Sequence, residues 1–221
     1  MNDAKLKKFL TKIEREWNWR QRELTFFKQS IANVDSYQKD AMSRAGVLLL
    51  YAHWEGFIKQ ISQSFLECFI NENIEHTPRY IIAAHFAKMN DIFLNKYNKI
   101  DRAHNCIDCI AAGAKICASI DEIINMENLN SENLKMIAKS VGVDFADFET
   151  RLQFIDRSFV AVRHAIAHGE GRRLTEEEFL GLERDITFLM DLFKRNIIDS
   201  AEYANNFLNQ GTHHTCLKIT D

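Results

Sequence analysis

Arg163-His164-Ala165-Ile166-Ala167-His168 places one arginine and two histidines within six residues, and Gly169 follows directly. These are the residue types that metal-free cleavage of an RNA phosphodiester needs. Histidine can take a proton from a 2′-hydroxyl, or give one to a leaving 5′-oxygen, near neutral pH. Arginine stays charged and grips a phosphoryl group through two parallel hydrogen bonds, stabilising charge that builds on phosphorus. A plainer reading stands beside this one, because cations near the C-terminal end of a helix are favoured by its dipole. Spacing adds a constraint. His164 and His168 are four apart and share a helix face, whereas Arg163 is five from His168, about 140° around a regular helix. Arg163 and His168 can address one ligand only if the helix loosens at its end or a second chain completes the site.

Further groups could support such a site. Arg157, Arg172 and Arg173 flank the segment and form, with Arg151, a local basic patch in a chain whose net charge is only −3. That charge excludes a protein that coats nucleic acid through bulk basicity. Glu55, in Tyr51-Ala52-His53-Trp54-Glu55-Gly56-Phe57, is a carboxylate on a largely apolar helix and is costly to bury unpaired. Its partner could be Arg163 or His168, or simply Lys59 four residues on. Trp54 and His53 read as core and helix-face residues. His104, Cys106, Cys109 and Cys117 could be ordered as a zinc set. Isoleucines at 107, 110 and 116 interleave with them at helical spacing, so ordinary buried thiols are the better reading and no metal or other cofactor is expected.

The elements that must carry these residues are helical. One proline and eight glycines in 221 residues leave too few breakers for an all-β fold. Leu6, Leu10, Ile13, Trp17, Leu24, Phe27, Ile31 and Val34 mark a long amphipathic first helix, interrupted only by Arg20. It suits one arm of an antiparallel hairpin or an intermolecular coiled coil. Val47, Leu50, Trp54, Phe57, Ile61, Phe65 and Cys68 or Phe69 predict a second, central helix. Thr77-Pro78 opens another segment over 79–95. Residues 98–147 are the least regular and read as a small helical insertion or lid, with Ser131–Glu132 starting a capped helix that ends near Gly142. From Phe148 a helix runs to Gly169. Thr175 and Glu178 form a capping box for a last helix with Leu182, Ile186, Leu189, Phe193 and Ile197 on one stripe. The short link GEGRRL makes the last two helices antiparallel.

The expectation is a single domain over 1–210 with a flexible tail at 211–221. No apolar run approaches the ~20 residues of a membrane span. The charged N-terminus lacks a signal core, and the five cysteines are an odd number that suits free thiols. Both point to a cytoplasmic protein that does not contact membranes.

The segment from Arg163 to His168 resembles the R-x4-6-H signature of the HEPN superfamily, with His164 at the position after the arginine that is usually polar. Residues 44–59 (RAGVLLLYAHWEGFIK) and 128–145 (NLNSENLKMIAKSVGVDF) are similar to segments of the MAE-type HEPN-like nucleases. The resemblance spans about residues 40–200. It implies an all-α, antiparallel bundle of the HEPN type with a long N-terminal helix, forming a homodimer with the motifs facing across the interface. It further implies a metal-independent endoribonuclease leaving a 2′,3′-cyclic phosphate, with Arg163 and His168 catalytic and His164 and Glu55 in support. Many such proteins belong to toxin–antitoxin or anti-phage systems, so an antitoxin partner is also implied. Some relatives only bind, which leaves a non-catalytic module for RNA, nucleotide or a partner protein as the alternative.

Overall fold

The computed structural model describes residues 2–74, 77–85, 99–113, 115–116, 124 and 127–209. Among these, regular structure is helical apart from one isolated bridge between Asn73 and Lys115. Helix α1 spans Asp3–Ala32 and begins at Asn2, whose side chain accepts the Lys5 N–H at 2.9 Å. Helix α2 spans Ser36–Glu67. Phe9 meets Phe65 with ring centroids 5.5 Å apart, and Trp17 meets Phe57 at 5.6 Å, which makes the pair antiparallel. The hairpin reading of α1 therefore holds. Phe9, Ile13, Leu24 and Ile31 are buried within this chain and are not kept for a partner coil.

The polar interruption of that seam is itself buried. Arg20 is 2% exposed, held by Glu16 at 2.6 Å and Gln60 at 2.8 Å, with its guanidinium 4.3 Å from the Trp19 ring centroid. A buried guanidinium is tolerable only with such partners.

After α2 come 79–85, helical and consistent with a start at Pro78; the rest of the expected 79–95 segment lies outside the described residues. Helix α3 (Lys99–Ala111) is followed by α4 (Ser131–Val141) and a single turn, α5 (Ala146–Glu149). The cap of α4 is Asn130, accepting the Asn133 N–H, and Ser131 is the first helical residue. The helix stops at Gly142, in the left-handed region at φ +69°. Leu129, Leu134, Ile137, Ala138, Val141 and Phe148 join the same core as α2. The stretch 129–148 thus belongs to the bundle, because its apolar period buries against α2 where a lid would leave it exposed.

The expected helix from Phe148 is broken. After α5 the chain passes through a π-helical segment, Phe154–Val160, before regular helix α6 (Ala161–Ala167). Helix α7 (Glu176–Asn209) closes the bundle. The ion pairs Lys28–Glu183 (2.8 Å) and Glu14–Lys194 (2.7 Å) set it antiparallel to α1. The three long helices meet at Gly46, where a Cβ would lie 2.6 Å from the Phe179 ring and 2.8 Å from Phe27. Only glycine permits this approach. Leu182, Ile186, Leu189, Phe193 and Ile197 are all buried, as their stripe predicts. The tail at 211–221 lies outside the described residues.

Candidate functional site at the end of helix α6

The histidines and the arginine sit where α6 ends. The Gly169 N–H bonds to the Ile166 carbonyl at 3.1 Å and the Glu170 N–H to that of Ala165 at 3.0 Å, while Gly169 adopts φ +75°. This is a Schellman ending. It leaves His168 as the C-cap, just past the last helical residue Ala167, at φ −87° and ψ 5°. His164 and His168 lie one above the other, exposed, with ring centroids 4.2 Å apart. The i, i+4 spacing therefore delivers two imidazoles to one patch of surface.

Arg163 has neighbours on other elements. Its guanidinium lies 4.1 Å from the centroid of the Tyr51 ring on α2 and donates to Asn128 Oδ1 at 3.1 Å. Neither neighbour was foreseen from the sequence. Tyr51 reads as one more apolar residue of the run 47–51, although its hydroxyl falls one turn from Glu55. Asn128 reads as an ordinary loop residue, although asparagine is the non-glycine type that best tolerates the φ of +52° found here. The loop is anchored from α2. The Leu129 N–H donates to the Tyr51 hydroxyl at 2.8 Å, and the Trp54 indole N–H donates to the Leu129 carbonyl at 3.2 Å. Burial raises the Tyr51 pKa, and the Glu55 charge beside it adds to that, against smaller opposing effects of the Leu129 N–H and Arg163.

Glu55 pairs with Lys59 at 2.5 Å, not with Arg163 or His168. The i, i+4 partner prevails because it needs no movement of either helix. Glu55 still bears on the site indirectly, because its charge helps to raise the Tyr51 pKa. Arg157, Arg172 and Arg173 are exposed, as are His164 and His168. Arg173 lies on a separate cleft with Lys39 and Arg44 of α2, where Glu176 and Asp40 already pair with those cations. Asp156, within the π-helical segment, ties α6 to α4 by accepting the Ser131 N–H at 2.8 Å and hydroxyl at 2.5 Å. The extra residue per turn of the π segment lies just upstream of the motif, and such segments occur at functional sites.

His104 is exposed; Cys117 and the side chains of Cys106 and Cys109 lie outside the described residues. Among the described residues no group of three or more His, Cys, Asp or Glu could hold a metal ion. No described helix is long and apolar enough to cross a membrane.

The chain matches the family model described as RiboL-PSP-HEPN over residues 15–199, and it belongs to that family within the HEPN superfamily. The match extends from α1 into α7 and includes the whole of the Arg163–His168 segment. It names the RiboL-PSP branch; the likeness to MAE-type nucleases is not carried by it. No curated protein and no solved structure matches the chain. Membership of a HEPN family points to a nuclease or otherwise RNA-related function.

Proposed function

We propose that the chain is an endoribonuclease, acting without metal or cofactor as a homodimer in a toxin–antitoxin or anti-phage setting. One imidazole of the His164–His168 pair, His168 at the exposed helix end, removes the proton of a 2′-hydroxyl. That oxygen attacks phosphorus, the 5′-oxygen leaves with a proton returned by a second histidine, and a 2′,3′-cyclic phosphate remains. Arg163 stabilises the added negative charge on the phosphoryl oxygens. Arg157, Arg172 and Arg173 would hold flanking phosphates.

The observation that carries this reading is the paired, exposed imidazoles at 4.2 Å on the end of the family's motif helix. A dimer is supported by the contacts of Arg163 within one chain, which are the Tyr51 ring face and Asn128. A second copy could bring its own Arg163 to the first copy's histidines. Exposed Ala45, Leu48 and Ala52 on α2, around the turn that bears Tyr51, offer a face for it. The same contacts, which engage Arg163 with its own chain, also favour the second reading, a module that binds RNA or a protein partner without cutting.

The test uses purified protein with tRNA or total RNA, with and without EDTA, and end analysis for 2′,3′-cyclic phosphate. His168→Ala and Arg163→Ala should each abolish cleavage while the protein stays folded and dimeric. Mixing the two inactive variants should restore about a quarter of the activity, since half of the dimers would then contain one intact composite site. Cleavage that survives either substitution, or that EDTA removes, would sink the proposal. RNA binding with no change in length at any pH would establish the non-catalytic reading, and mixing without recovery would place the site within one chain.

A further inference from the structure

Arg163 makes one hydrogen bond among the described residues, and the acceptor is an uncharged amide in a costly backbone conformation. We propose that Asn128 is a positioning residue that aims the Arg163 guanidinium at the phosphoryl group, with Tyr51 as the platform beneath it. This rests on the ribonuclease reading given above.

Three features carry it. First, the loop is fixed before it holds anything. Leu129 is fully buried, and both its N–H and its carbonyl are taken by α2, through Tyr51 and Trp54. Asn130 then caps α4, and the Asn133 side chain donates to the carbonyls of Glu127 and Asn128 at 2.8 Å each. Asn128 is thus clamped from both sides at φ +52° with its amide oxygen toward Arg163. A strained backbone persists where the surroundings over-determine it, and such residues cluster at functional sites.

Second, the chemistry of the acceptor suits a clamp that must stay cationic. Arginine has five N–H donors, and a bond to one of them leaves others for a phosphate. Aspartate at 128 would give Arg163 a charged partner and compete with the substrate's phosphate. An amide orients without neutralising. The Tyr51 face adds attraction for the cation and restricts the guanidinium plane while occupying none of its donors.

Third, the two contacts come from different elements, α2 and the loop before α4, and meet on a side chain of α6. A long side chain held at two points loses less freedom when substrate binds, which favours rate over mere affinity.

The experiment compares Asn128→Gly and Asn128→Asp with wild type. Glycine keeps the left-handed backbone and removes only the amide. Asn128→Gly should unfold within a few degrees of wild type, lower kcat about 10-fold or more and change KM little. Asn128→Asp should instead raise KM about 10-fold, as the carboxylate takes Arg163. A second readout does not depend on cleavage: the Arg163 side-chain N–H resonance, assigned by its loss in Arg163→Lys. Lying over the Tyr51 ring, it should be shifted upfield in wild type and move toward the random-coil position in Asn128→Gly and in Tyr51→Leu. Wild-type kcat in Asn128→Gly, or an unmoved Arg163 resonance, overturns the proposal. If wild type proves unable to cut RNA, the resonance still decides whether Asn128 aims Arg163, and the failure belongs to the ribonuclease reading alone.

Discussion

What a side chain touches decides what it can do, and the histidines behave differently by position. His164 and His168 are exposed where α6 ends in a Schellman turn. His53 is fixed in the opposite condition. Its side chain is 4% exposed, and Nε2 lies 2.9 Å from Glu23. Burial governs a cysteine as well. Cys68 lies at the end of α2, where burial pushes its thiol up to about 11 and the nearby Lys5 only partly offsets that. Its Sγ–H donates to the Ser64 carbonyl at 3.3 Å. Because the thiolate is the reactive form, the native protein should alkylate at Cys68 about 100-fold more slowly at pH 8 than the unfolded chain. Peptide-level mass spectrometry after iodoacetamide would measure this. Equal rates in the two states would show that the thiol is neither buried nor suppressed.

At the scale of elements, glycines decide where helices stop and how closely they pack. Gly142 and Gly169 end α4 and α6 with nearly the same φ, +69° and +75°. Their surroundings differ. A Cβ at Gly142 would fall 2.5 Å from the Tyr80 ring, whereas nothing lies within 4 Å of one at Gly169. Both alanine substitutions incur the left-handed penalty of ~1–2 kcal/mol. Gly142→Ala should add an overpacking cost of ~1–3 kcal/mol, because the Tyr80 ring is held by Ser200 at 3.0 Å and cannot swing away freely. Urea unfolding of both variants checks the order, and equal losses would mean that Tyr80 yields. The break between α5 and α6 matters as much. The Ala161 N–H reaches back five residues to Asp156, which widens the turn just before the motif.

Across the whole molecule, buried ionisable groups fix how stability responds to pH. Burial lowers the His53 pKa, with Glu23 opposing and Arg20 reinforcing it, and burial alone lowers that of His85. The unfolded chain then binds more protons than the folded one between these depressed values and the ordinary 6.5. Stability should therefore be fully present above pH ~6.5 and decline as pH falls through the folded pKa values. Glu16 adds a second loss at lower pH. Burial pushes its carboxyl up, but hydrogen bonds from Trp19 and Arg20 and the charge of Arg20 outweigh that and hold it below 4.5. Urea unfolding from pH 7.5 to 4 should show a decline that begins near 6.5, and His53→Gln should shrink that first phase. Stability that stays level from 7.5 to 5 would show that neither histidine is buried uncharged.

Much of this molecule can be read from residue order. The long first helix, the apolar stripes of α2 and α7, the Thr175–Glu178 capping box, and Gly142 and Gly169 as helix ends all follow from local rules. The capping box has both of its hydrogen bonds, at 2.8 and 3.2 Å. Such features depend on residues at most one or two turns apart, so the chain states them directly. The same is true of the His164–His168 pair, delivered by i, i+4 spacing alone. Tertiary structure decided the rest. It set Arg20 inside the α1–α2 seam, drew 129–148 into the core, and gave Glu55 to Lys59. It also broke the expected helix from Phe148 and laid Arg163 between Tyr51 and Asn128, 112 and 35 residues away in sequence. A guanidinium chooses its resting place by which ring face and which fixed acceptor come within reach, and only packing brings those together.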